Sequence, residues 1–148
     1  DICGIGMFSL WGWSFGGTLG LHMAARSSRV EKAVIAGTYF GRIFTEAYVQ
    51  QPLAQASSPI ERARWNGIAA WPGVEPPALR CPTLIYTGTA DGNVVAQLER
   101  QRAATESAGI RLHVFDDFKH GQLISKQEAV SSVVFPFLST PSVLPKEG

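Results

Sequence analysis

Gly12-Trp13-Ser14-Phe15-Gly16 reads G-x-S-x-G, and Gly17 extends the run of small residues. An apolar stretch, residues 7–11, comes before it and a helical one, residues 18–26, comes after it. A serine between a strand and a helix needs glycines on both sides, because the turn is sharp and bulkier residues would clash with the neighbouring strand or helix. Such a turn lifts the Ser14 hydroxyl to the N-terminus of a helix, where backbone N–H groups stabilise an oxyanion. The chemistry it suits is nucleophilic attack on a carbonyl.

A serine hydroxyl is a poor nucleophile at neutral pH. It needs a general base, usually histidine, and the histidine needs a carboxylate that fixes its tautomer and stabilises its charged form. The chain has three histidines. His22 falls within the helix after Ser14 and points away from the turn or into helix packing. His113 sits inside the last apolar run, where filling one face of a strand is its simpler role. His120 lies in the loop Asp116-Asp117-Phe118-Lys119-His120-Gly121, and a loop at the C-terminal end of a parallel strand is where open α/β sheets bind ligands. His120 is therefore the expected base. Asp91, just after the run 83–87 and beside turn-forming glycines, is the expected carboxylate, against the plainer reading of a turn aspartate. Asp116 and Asp117 share the loop of His120 and are poorly placed to approach its ring from behind.

Elements that would position these groups are legible as apolar runs. Residues 7–11, 33–36, 83–87 and 112–115 read as strands, the first three nearly continuous in apolar character, as in strands covered on both faces. Residues 18–26 read as a helix. Residues 94–107 read as another, with Asn93 as N-cap and Gly109 as its stop. Ser125-Lys126-Gln127-Glu128 has the form of a capping box. It opens an amphipathic helix with Ala129, Val130, Val133, Val134, Phe137 and Leu138 on one face, which Pro136 should bend or weaken near its end. Strands alternating with helices predict an α/β fold with a mainly parallel sheet of about four strands. Residues 41–77, with Phe44, Tyr48, Trp65, Trp71 and five prolines, break this rhythm. They read as one or two short helices inserted between the second and third strands, either a surface connection with its own small core or a lid.

The 148 residues suffice for one domain, 1–148, with one sizeable core. A net charge of +1 with scattered basic residues argues against a dedicated nucleic-acid surface. There is no apolar run long enough to span a membrane and no secretory pattern, so the expected compartment is cytoplasmic. Cys3 and Cys81 show no metal spacing and are expected as free thiols. Neither metal nor organic cofactor is implied.

These residues together resemble the C-terminal part of an α/β-hydrolase. Gly12 to Gly17 resembles the nucleophile elbow of that family, Pro82 to Asp91 its strand and turn carrying the triad acid, and His120-Gly121 its histidine loop. The order Ser14, Asp91, His120 is the family's order. Asp1-Ile2-Cys3-Gly4-Ile5 resembles the end of the helix before the nucleophile strand, and residues 41–77 occupy the family's lid position. The resemblance implies a truncated α/β-hydrolase fold and a serine esterase acting on small carboxylic esters. Its residues would be Ser14 as nucleophile, His120 as base, Asp91 as orienting acid and the Phe15 backbone N–H as oxyanion donor, with Trp13, Tyr39 and Phe40 forming an apolar substrate pocket. Gly-Trp-Ser-Phe-Gly-Gly also resembles the thioesterase branch, and a thioesterase, lactonase or peptidase would share this chemistry. The family's earlier strands have no counterpart here, nor does the loop that gives the second oxyanion donor, a loss of about 10²–10³ in rate. A catalytically weak or inactive fragment serving as a binding or structural remnant is therefore the alternative, and a first half supplied by a separate polypeptide a third reading. The strand at 7–11 would also become an apolar sheet edge, so homo-oligomerisation near it is expected.

Overall fold

The computed structural model of the protein describes residues 3–141. Four parallel strands form one sheet in the order β1-β2-β3-β4: β1 (Phe8–Trp13), β2 (Val30–Ala36), β3 (Thr83–Gly88) and β4 (Arg111–Phe115). This is the α/β architecture with parallel strands that the alternating pattern predicts. Spatial order equals chain order, so each strand is joined to the next by a crossover. Helix α1 (Phe15–Arg26) connects β1 to β2.

The chain divides into two compact units, Phe40–Glu75 and the remainder. The smaller unit contains α2 (Glu46–Gln55) and α3 (Pro59–Ala69). Thr45 caps α2 by accepting from the Tyr48 N–H, and Ser58 caps α3 by accepting from that of Glu61. Pro59 at the start of α3 has its φ preset for a helix. Phe44 packs against Tyr48 and Trp71, with ring centroids 5.3 and 6.1 Å apart. A single antiparallel bridge joins Gly41 to Val74.

In the larger unit, β2 and β3 are buried on both faces. Val34, Ala36, Leu84 and Tyr86 point to one side, against Phe115, Leu123, Val130 and Val134. The last two belong to α7 (Gln127–Ser139), and each such burial contributes about 1.5–3 kcal/mol. Ala129, Val133, Phe137 and Leu138 pack against the same cluster, as the amphipathic pattern predicts. Helix α1 covers the other side so closely that a Cβ on Gly20 would lie 2.8 Å from Ile35 Cδ1. Lys32, buried in β2, donates from Nζ to the carbonyls of Phe137, Leu138 and Thr140, satisfying the C-terminal end of α7.

Several local expectations are corrected. β1 alternates between half-buried and exposed residues instead of being covered on both faces, because it lies at the sheet edge. The helix expected at 94–107 is two, α4 (Gly92–Arg100) and α5 (Arg102–Ser107), separated at Gln101. Asp91, not Asn93, precedes α4, while Gly109 does follow α5 with φ +72°. Ser125 closes the short α6 (Gln122–Ser125), so Lys126 precedes α7 and the capping box does not form. Helix α7 contains Pro136 and continues to Ser139. Cys3, Gly4 and Ile5 are not helical, and Asp1 and Ile2 lie outside the described residues. Among the described residues no helix is long and apolar enough to cross a membrane.

Candidate active site

Ser14 follows the last residue of β1 and precedes the first of α1. Its backbone sits at φ 56°, ψ −121°, a conformation that costs a non-glycine residue about 1–3 kcal/mol. The steric demand around it falls on two glycines. A Cβ on Gly12 would lie 2.3 Å from the Gly16 carbonyl oxygen, and one on Gly17 would lie 2.9 Å from that of Ala36. Gly16, the second glycine of the pattern, faces open space, so the requirement expected there belongs to Gly17. Phe15 opens α1, and its N–H lies in the first turn, where N–H groups point out of the helix end.

Asp91 stands past the end of β3 and is buried. His120 stands past the end of β4 with its side chain 40% exposed. The two meet: His120 Nδ1 lies 2.8 Å from Asp91 Oδ1. On the far side of the ring, Nε2 lies 3.0 Å from Ser14 Oγ. A carboxylate can only accept, so Nδ1–H donates to Asp91, which leaves Nε2 of the neutral ring to accept from the Ser14 hydroxyl. One unbroken row of hydrogen bonds thus runs from serine through imidazole to carboxylate.

Strand geometry explains what this row requires. β1 and β4 are separated by two strands, about 14 Å at normal strand spacing. The loop after β4 must therefore cross the ends of β3 and β2 to bring His120 to Ser14. A Cβ on Gly88, at the end of β3, would lie 2.0 Å from the Phe118 carbonyl oxygen. One on Gly37, just past β2, would lie 2.8 Å from His120 Cε1. Both intervening strands thus end in a glycine where the loop passes over them. Trp13 ties the loop down, donating Nε1–H to the His120 carbonyl oxygen at 3.1 Å with its ring 4.9 Å from the imidazole. Tyr86, fully buried, donates its hydroxyl to the Leu123 carbonyl at 3.1 Å and accepts from Trp11 Nε1 at 3.0 Å. Burial raises the Tyr86 pKa and so favours the neutral phenol that donates here.

The other two histidines lie elsewhere. His22 is in α1 and His113 in β4, and burial lowers the pKa of each, helped by Arg26 and Arg111 respectively. Tyr39 is half-buried past β2. Phe40 is only 1% exposed and offers no surface to a ligand. Reading the sequence missed Gly37 altogether and took Gly88 for a turn-former. The available signal was a glycine directly after or at the end of each of the two central apolar runs. Cys81 is a free thiol whose pKa burial raises, and Cys3 is exposed. Among the described residues no group of three or more His, Cys, Asp or Glu is arranged to hold a metal.

No family model matches the sequence, and no curated protein matches it. Solved structures do match. Carboxylesterase CesB (YbfK) from Bacillus subtilis superposes with a TM-score of 0.63 at 18% identity, over 94% of this chain and 62% of that one. The serine hydrolase CarC, involved in carbazole degradation, gives a TM-score of 0.64 at 18% identity, over 92% of this chain and 65% of that one. The acylaminoacyl peptidase of Pyrococcus horikoshii gives 0.63 at 11% identity, over 97% of this chain and 25% of that one. These structures are α/β-hydrolases. The fold is a partial α/β-hydrolase fold. The chain spans a quarter to two thirds of the length of the α/β-hydrolases it matches. Within this α/β-hydrolase fold, Ser14, Asp91 and His120 all stand at the C-terminal ends of strands, on the side of the sheet where such folds hold their ligands.

Proposed function

We propose that the protein is a serine hydrolase that cleaves small carboxylic esters. The observation that carries this reading is the unbroken hydrogen-bonded row Ser14–His120–Asp91. In the proposed reaction Ser14 Oγ attacks the ester carbonyl while His120 Nε2 takes its proton. The negative charge on the carbonyl oxygen is met by the Phe15 N–H at the start of α1. Collapse of the tetrahedral intermediate breaks the bond to the alcohol, which leaves with the proton carried by His120, and Ser14 holds the acyl group. Water, deprotonated by the same imidazole, then releases the acid. Asp91 keeps the ring in its reactive tautomer and stabilises the imidazolium. The strained backbone of Ser14 supports the same reading, since such strain concentrates where a side chain must be presented in one direction.

Trp13 and Tyr39, both half-buried, are proposed to bound the apolar part of the substrate. Phe40 has no part in that proposal because it is fully buried. Hydrolysis of a short-chain p-nitrophenyl ester, compared between the protein and its Ser14→Ala variant, tests the reaction.

We also propose that a second copy of the chain adds along β1. Among the described residues this strand has an open edge. Trp11, 45% exposed, and Phe135, 55% exposed, meet on one side of it in a T-shaped contact at 6.4 Å. Leu19 and Met23 of α1 are exposed on the other side. An open strand between two apolar margins is a template for further pairing.

A further inference from the structure

We infer that Thr87 is a positioning residue that locks the carboxylate of Asp91 in the one orientation useful to His120. The inference rests on the proposed Ser14–His120–Asp91 chemistry and adds to it a residue that touches neither substrate nor histidine. Thr87 lies in β3 one residue before its end and is fully buried. Its hydroxyl donates to Asp91 Oδ2 at 3.0 Å, while Asp91 Oδ1 accepts from His120 at 2.8 Å. Each oxygen of one carboxylate is therefore held by a different group.

This hydroxyl is used differently from those of three other threonines. Thr83, Thr105 and Thr140 donate theirs to backbone carbonyls at 3.0, 2.8 and 2.8 Å, the ordinary local use of a threonine. Thr87 gives its hydrogen to a side-chain carboxylate instead. Rotation of a carboxylate about its last torsion is soft, because the sp³–sp² bond has broad wells. With Oδ2 held, that torsion has one setting, and Oδ1 stays aimed at Nδ1 of the imidazole. The hydroxyl also donates to the charge that must stabilise imidazolium in the transition state. Without it, Oδ2 would be buried with an acceptor unmet. The turn fixes the backbone beneath, as the Asp91 N–H donates to the Gly88 carbonyl at 3.0 Å.

Thr87→Val, which keeps the shape and removes the hydroxyl, and Thr87→Ser, which keeps the hydroxyl, test this in the native and the Asp91→Asn backgrounds. The expected result with a p-nitrophenyl ester is a fall in kcat of about tenfold for Thr87→Val at unchanged KM, with Thr87→Ser close to the parent. In Asp91→Asn protein, Thr87→Val should have no further effect. An equal fall in both backgrounds would mean a structural role and overturn the inference. A second readout does not depend on turnover: the downfield proton signal of His120 Nδ1–H. It should persist in Ser14→Ala and Thr87→Ser proteins and exchange with solvent about tenfold faster in Thr87→Val. An unchanged signal in Thr87→Val overturns the inference. A parent protein without Ser14-dependent turnover refutes the proposed reaction, and the proton signal still decides the role of Thr87.

Discussion

Gly37 and His120 occupy adjoining space with no room between them. A Cβ on Gly37 would stand 2.8 Å from Cε1 and 3.2 Å from Nδ1 of the imidazole, and 3.2 Å from Nε1 of Trp13. The glycine is the floor on which the ring lies, and Trp13 holds the same loop through the His120 carbonyl. Gly37 also has φ +61°, so both its backbone and its missing side chain are used.

Replacing Gly37 by alanine should therefore damage activity more than folding. The left-handed backbone costs an alanine about 1–2 kcal/mol, which a folded domain tolerates. The added methyl pushes the imidazole out of line with Ser14, and a displacement of about 1 Å is enough to cost on the order of 10²-fold in kcat. Kinetics on a p-nitrophenyl ester alongside a thermal melt checks this. Unchanged kcat in a folded Gly37→Ala protein would show that the ring does not depend on this floor.

The main elements were legible because they depend on local pattern. Continuous apolar runs marked β2 and β3, and the order of turn residues pointed to Ser14, Asp91 and His120, which the structure brings into one row. What stayed hidden was set by tertiary geometry. Gly88 has an ordinary backbone, and its need for a bare Cα comes from Phe118, a residue thirty positions later that passes overhead. Thr87 looked like one more β-branched strand residue, since nothing in its neighbourhood marks its hydroxyl as spoken for. The break at Gln101 and the unformed capping box at 125–128 also depart from what the local cap residues signal.

Stability should fall on mild acidification. Burial, reinforced by Arg26 for His22 and by Arg111 for His113, holds the pKa of both below the ordinary value of 6.5. The unfolded chain then binds more protons than the folded one between the lowered values and 6.5, so stability rises with pH across that window. It is fully present above about 6.5 and is lost as pH falls through the folded-state values. Urea unfolding at a series of pH values measures it, and the His22→Gln, His113→Gln double variant should show a shallower loss. An identical slope in that variant would assign the effect to other groups.

Self-association through β1 is expected at micromolar concentration. Light scattering should give a mass above that of one chain, and Phe135→Glu, which puts a charge on one apolar margin of the strand, should shift it towards the single-chain value. A single-chain mass for the parent protein at that concentration would rule out the open edge as a contact between copies.

Ser14 is proposed to be a nucleophile activated by His120 and Asp91. The most direct measurement of this is the rate of p-nitrophenyl ester hydrolysis by the protein and by Ser14→Ala. Loss of the nucleophile should remove nearly all turnover, leaving at most the small residue that binding and oxyanion stabilisation provide without it, a loss of about 10⁶-fold in a fully efficient serine hydrolase and less in a weak one. Equal rates for the two proteins would contradict the account.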